Sequence, residues 1–153
     1  MTFLVVITDL ATRFDEIRAI REDVFVREQG IARDLDCDDR DKECVHALVM
    51  DGDRPVATGR LDLGREGKIG RVAVLKTDRR RGLGSLVMNA LEVHAREQGL
   101  SRIWFHAQVA AIPFYEAIGY LPTGPIFEEA GIAHQFMEKT FSTVSPNQCD
   151  GGA

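Results

Sequence analysis

Arg79-Arg80-Arg81-Gly82-Leu83-Gly84 lies between the apolar run Val72-Ala73-Val74-Leu75 and a long amphipathic segment that begins at Leu83. A strand, a glycine-containing basic turn and a helix, in that order, form a physical device for holding phosphate. The first backbone N–H groups of a helix have no intrahelical acceptor, and the helix dipole favours an anion there. Glycine lets the backbone approach a ligand closely because it has no Cβ. Arginine adds charge-assisted, often bidentate, hydrogen bonds. The turn therefore predicts a ligand carrying a pyrophosphate. The plainer alternative is an ordinary strand-to-helix connection with solvated arginines. A P-loop is disfavoured because G-x-x-x-x-G-K-S/T is absent, and a dinucleotide-binding turn because the first glycine of G-x-G-x-x-G is missing.

Working outward, Phe3 to Thr8 is rich in β-branched residues and reads as a strand. Ala11 to Gln29 has helical periodicity, with Phe14, Ile17, Ile20 or Arg21, Val24 and Phe25 on one face and Gly30 at its end. Ala32 to Glu43 reads as a solvated, strongly charged loop. Val45–Asp51 and Pro55–Leu63 read as strands joined by Asp51-Gly52-Asp53, a strong hairpin signal. A second turn at 64–67 leads to a strand over Lys68–Leu75. Gly82 to Gln98 is helical, with Leu83, Leu86, Val87, Ala90, Leu91 and Ala95 in one stripe. Arg102 to Ala107 reads as a strand buried on both faces. A short helix over 110–118 follows, with Pro113 in its first turn. Strands over 120–129 and 132–141 close the chain around Ala130-Gly131. The expected class is α/β in a single domain over 1–141, in the order β-α-β-β-β-α-β-α-β-β. That order gives a mixed, mostly antiparallel sheet of about seven strands flanked by helices. The small polar tail, 142–153, is expected to be disordered.

The bulk numbers agree with one domain. A chain of 153 residues can bury about two-thirds of its unfolded surface. Its net charge of −5 argues against non-specific nucleic-acid binding. No apolar run approaches the ~20 residues that span a bilayer. Three cysteines (Cys37, Cys44, Cys149) without a C-x-x-C pair predict reduced thiols in the cytoplasm, with neither a disulfide framework nor a zinc site. The acidic loop matches the EF-hand pattern weakly, so no metal is expected.

A second stretch joins the first. Ala111-x-x-x-Tyr115-Glu116-x-x-Gly119-Tyr120 sits downstream of Arg79-x-x-Gly82-x-Gly84. Together they resemble the signatures of the GNAT N-acetyltransferase family: Q/R-x-x-G-x-G/A for acetyl-CoA, then a short helix carrying a tyrosine and ending at Gly-Phe or Gly-Tyr. The element order is similar over roughly residues 3 to 141. His106-Ala107-Gln108 and Glu129-Ala130-Gly131-Ile132-Ala133-His134 are similar to a group of small bacterial members with few assigned substrates.

The resemblance implies a division of labour. Backbone amides of Arg81, Gly82, Leu83, Gly84 and Ser85, with Arg79 and Arg80 nearby, would hold the CoA pyrophosphate. The strand edge at Val72, Ala73 and Val74 would pair with the pantetheine arm, Val74 N–H polarising the thioester carbonyl. Ala111 and Phe114 would border the same arm. Gln108 stands near where many members carry Asn. Tyr115 would protonate the departing thiolate, although it could instead simply pack with Phe114 and Tyr120. The implied activity is direct transfer of acetyl from acetyl-CoA to an unidentified primary amine, with no metal and a homodimer as an allowed assembly. A non-catalytic acyl-CoA-binding module and transfer of a longer acyl group are the alternatives; Ile20–Phe25 resembles a short stretch of acyl-homoserine lactone synthases. Candidate bases for the amine are His106 first, His134 second, then Glu28 and His46. The acidic loop would attract a cationic acceptor.

Overall fold

Seven strands form one sheet in the order β1-β2-β3-β4-β5-β7-β6. They are β1 (Leu4–Thr8), β2 (Val45–Asp51), β3 (Arg54–Asp62), β4 (Lys68–Val74), β5 (Arg102–Gln108), β6 (Leu121–Glu129) and β7 (Ile132–Thr140). Helix α1 (Phe14–Arg21) continues as a π-helix over Glu22–Glu28; α2 (Arg33–Asp36), α3 (Leu83–Glu97) and α4 (Ile112–Ala117) follow. This computed structural model describes residues 2–141; the polar tail over 142–153, with Cys149, lies outside them. No described helix is long and apolar enough to cross a membrane.

Every neighbouring pair of strands is antiparallel except β4 and β5. Those two run parallel and meet at one register position, Lys68 opposite Trp104. Beyond it they part, because β4 carries a bulge. Thr58 faces Ala73 and Arg60 faces Gly70, so Gly59 alone opposes both Arg71 and Val72. Arg71 takes the left-handed conformation, φ 53°, that the extra residue requires.

Helices cover both faces. Helix α3 packs on β3 so closely that a Cβ on Gly59 would lie 2.6 Å from Val87 Cγ1. Leu61, Ile69, Leu91, Ile103 and Phe105 complete that core. On the opposite face Ile17, Ile20, Val24 and Phe25 pack against Leu48 and Met50. Phe14, expected on the apolar face, is 43% exposed, because the helix begins there and the stripe engages the sheet only from Ile17. Strand β5 is not buried on both sides. Ile103, Phe105 and Ala107 enter the core, while Trp104, His106 and Gln108 stand on the other face, half-buried.

The charged loop is the largest correction. Most of it is exposed, as a solvated loop would be, but Asp36 and Asp41 turn inward and are buried, which folds it over β3 and β4. Arg21, only 3% exposed, donates to Asp36 and to Asp41 at 2.8 Å. Arg60 donates to Asp41 at 2.6 Å and to Asp38 at 2.7 Å, and Arg71 reaches Asp38 and the Leu35 carbonyl. Three arginines thus meet three aspartates beneath the loop. Asp36 and Asp41 are buried, and a buried carboxylate is costly without a partner; on exposed Asp38 the hydrogen bonds from Arg60 hold the carboxyl well below the usual carboxylate range. Arg21→Met leaves Asp36 and Asp41 underpaired. Urea unfolding should show a loss of about 3–5 kcal/mol; an unchanged midpoint would contradict the account.

Candidate active site

The basic turn sits at the mouth of the β4–β5 split. After the turn at Lys76–Asp78, Arg80 and Gly82 take left-handed φ values of 66° and 78°, and α3 starts at Leu83. The amides of Leu83, Gly84 and Ser85 open the helix without preceding turns to accept them. The three arginines do different things. Arg79 lays its guanidinium on Glu28, 2.7 Å from each carboxylate oxygen, and its Nε donates to Val74 O at 3.1 Å. Arg80 is exposed and makes no ion pair among the described residues. Arg81 turns its side chain away, onto Asp78 at 2.8 Å and over the Phe3 ring at 4.8 Å. Gly84 leaves room for α4: a Cβ there would lie 2.9 Å from Phe114 Cζ.

The strand edge follows from alternation. Leu75 N–H donates to Val56 O at 3.0 Å. The amides of Val74 and Val72 therefore face the other way, into the split, whereas that of Ala73 faces β3. A cavity of about 410 Å³ opens along this split. It is bordered by Val72, Phe105, His106, Gln108, Ala111 and Tyr115, but not by Ala73 or Val74. Of the two amides that face the split, that of Val72 belongs to a residue that borders the cavity.

Tyr115 is anchored by its ring and open at its hydroxyl. The ring is 4.6 Å from that of Phe105, 5.0 Å from Phe114 and 6.2 Å from Tyr120. The hydroxyl has no hydrogen-bond partner among the described residues and is not sealed from solvent. Burial pushes this phenol up to about 12, so it holds its proton at neutral pH. Packing and an acid's placement are thus compatible in one residue. Gln108 exchanges amide hydrogen bonds with Gln29, at 2.9 and 3.4 Å. That contact ties the end of the π-helix to the end of β5 across the split, and nothing local in the sequence announced Gln29.

On the far wall the sheet order brings three groups together. Strand β7 inserts between β5 and β6, placing His106 opposite Phe136 and Gln108 opposite His134. Two extra residues in β6 between Thr123 and Phe127 shift its register and set Phe127 against both histidine rings. The turn at Ala130 and Gly131, both with positive φ, then holds Glu129 beside them. His106 Nδ1 lies 3.3 Å from Glu129 Oε1, and His134 Nε2 lies 3.9 Å from Glu129 Oε2. His134 Nδ1 donates to Ile132 O at 2.7 Å. Sequence reasoning singled out both histidines but not Glu129, which reads as the last residue before a hairpin turn.

The other candidate bases stand elsewhere. Glu28 is bound to Arg79, whose hydrogen bonds hold its carboxyl below the usual glutamate value; it does not border the cavity. His46 is 1% exposed and its Nε2 lies 3.0 Å from Asp41 O. Burial pushes its pKa down, which makes it a structural neutral imidazole beneath the loop. Asp36, Asp38 and Asp41 are ion-paired and offer no free anion to an incoming amine. Cys44 is buried and its thiol is pushed up to about 11 by that burial; Cys37 is exposed on the loop. No group of three or more metal-ligating side chains occurs among the described residues.

A splayed parallel pair inside an otherwise antiparallel sheet, with a helix start at its mouth and a tyrosine inside, defines an acyltransferase architecture. The model of the Acetyltransferase (GNAT) domain matches residues 23–141, and the chain belongs to that family. It is an acyltransferase. The uncharacterised N-acetyltransferase YjcF of Bacillus subtilis is 39% identical over 78% of this chain and 87% of its own. A Lactobacillus plantarum structure assigned as an N-acetyltransferase is 29% identical with a TM-score of 0.82, covering 93% of this chain and all of the other. Escherichia coli ElaA, 24% identical, shares the fold with a TM-score of 0.79 over 90% of this chain and 99% of its own.

Both tyrosines of the protein have raised pKa values, Tyr115 by burial and Tyr120 by burial and then Glu92. An ultraviolet titration of the folded protein should show no tyrosinate near pH 10, where a free phenol titrates at about that value. A full titration step there would mean that the cavity is wetter than described.

Proposed function

We propose that the protein transfers an acetyl group directly from acetyl-CoA to a primary amine. The observation that carries the reading is one cavity bordered at once by the Val72 strand edge, the Tyr115 hydroxyl and the His106–Glu129 pair. Membership of the family supports the donor class. The pyrophosphate would sit on the amides from Arg81 to Ser85, with Arg80 free to approach and Arg79 shared with Glu28.

Each step has a group of suitable chemistry. Glu129 accepts from His106 Nδ1–H, so Nε2 keeps its lone pair and takes a proton from the incoming ammonium. The amine nitrogen then attacks the thioester carbonyl carbon. The oxygen gains negative charge and accepts a hydrogen bond from Val72 N–H. The C–S bond breaks as the carbonyl reforms, and Tyr115 Oη–H gives its proton to the departing thiolate. The nitrogen, which carries two protons after its attack, loses one to water as the neutral amide forms. The amide and free CoA leave, His106 passes the ammonium proton to solvent, and solvent returns one proton to the phenol. His134 commits its Nδ1–H to Ile132 O and borders the cavity beyond the His106–Glu129 pair, on the side where the acceptor would enter.

Tyr115→Phe should lower kcat by on the order of 10²–10⁴-fold while acetyl-CoA still binds, measured by thiol release beside calorimetry. A variant as active as the parent would remove Tyr115 from the mechanism. Release of thiol from longer acyl-CoA donors in preference to acetyl-CoA would replace acetyl as the transferred group.

A further inference from the structure

Lys68 opens β4 on the floor of the cavity. Its ammonium has no carboxylate oxygen within ion-pair distance among the described residues; its neighbour is the Trp104 ring, with Nζ 5.3 Å from the centroid. Every other cation bordering the cavity is already matched. Arg60 is held by Asp38 and Asp41, Arg71 by Asp36 and Asp38, Arg40 by Asp62 at 2.6 Å, and Arg65 faces Asp62 at 3.7 Å. Burial presses the Lys68 pKa down; Glu129, the strongest charge acting on it, pulls the other way, and Arg65, Arg60 and Arg71 each add a smaller downward push. A half-buried ammonium with no carboxylate in contact, in a cavity where Arg40 and Arg65 share one aspartate, leaves a place for an anion brought by a ligand.

We propose that Lys68 binds a carboxylate of the acceptor, which is therefore an amino carboxylate and not a simple alkylamine. The proposal rests on the acyl-transfer reading of the cavity and names its acceptor class. The spacing sets the length. Lys68 is level with Trp104 across the parallel pair, and His106 lies two residues further along β5, roughly 7 Å at about 3.3 Å per residue. An amine presented to His106 thus carries its carboxylate on an extended chain of about that length. The Trp104 indole lies between Lys68 and His106, 5.7 Å from the His106 ring and beneath the Lys68 ammonium. A carboxylate suits the site better than a phosphate, because a single ammonium faces it and no helix start or row of backbone amides stands beside Lys68.

The test uses an isosteric pair, ε-aminocaproate and n-hexylamine, which differ in one terminal carboxylate. The wild-type protein should favour ε-aminocaproate in kcat/KM by on the order of tenfold or more, the worth of one charged hydrogen bond. Lys68→Met should erase the preference by raising KM for ε-aminocaproate, and Lys68→Arg should restore most of it. Calorimetric binding of ε-aminocaproate to wild type and to Lys68→Met reads the same site without turnover. Equal use of the two amines by the wild-type protein, or a preference that survives Lys68→Met, would overturn the assignment. Preference for phosphoethanolamine over ε-aminocaproate would overturn the choice of carboxylate. Loss of thiol release with every amine, while ε-aminocaproate still binds in a Lys68-dependent way, would sink the acyl-transfer reading and leave the subsite standing.

Discussion

Strands β4 and β5 can pair only once, at Lys68 and Trp104, because the bulge at Arg71 and Val72 bends β4 away from its neighbour. An edge of backbone inside a sheet is normally consumed by the next strand. Here it is left open in the middle of the molecule, and the sheet stays whole because β7 holds β5 along its full length. The open edge is what an extended ligand arm can use as a partner strand. The helix start at its mouth, Tyr115 on one side and His106 on the other are all positioned relative to that opening. Closing the split by a regular β4 would remove the cavity without changing any single reactive residue.

An open split needs a rigid frame, and the ion network beneath the acidic loop supplies one. Arg21 comes from α1, Arg60 from β3, Arg71 from the bulge itself, and the three aspartates from the loop. The residue that distorts β4 is therefore clamped at its side chain, with Arg71 Nε donating to Asp36 O at 2.9 Å. Left-handed backbone at a non-glycine residue persists where its surroundings over-determine it. The charges are balanced within the network, so it fixes geometry without claiming the cavity's remaining cation.

What could be read from the sequence divides along the same line. The first elements are local: strand, turn and helix lie within Val72 to Leu91, and the tyrosine helix carries its own signature, so these elements were legible. The bulge was not, since Gly70-Arg71-Val72 looks like an ordinary strand interior. The acidic loop misled because carboxylates in sequence show no partners; a usable signal was Arg21, which falls on the apolar stripe of α1 between Ile17 and Val24 and so had to find an anion. Gln29 and Gln108 meet across a separation of 79 residues, and neither side chain is distinctive alone.

The grouping of Lys68, His106 and Glu129 was illegible for a topological reason. Chain order places β6 directly after α4, and a simple meander would set β6 beside β5. Instead β7 takes that place, which turns the β6–β7 hairpin back so that its tip, with Glu129, returns to the end of β5 that carries His106. Lys68 reaches the same face from β4 through the one parallel contact. Each of these residues is unremarkable within its own segment: a charged residue at a strand start, a histidine in an apolar strand, a glutamate before a tight turn. Their chemistry exists only once the strand order is known. The juxtaposition of Lys68, Trp104 and His106 on one face is a property of the sheet and not of any motif.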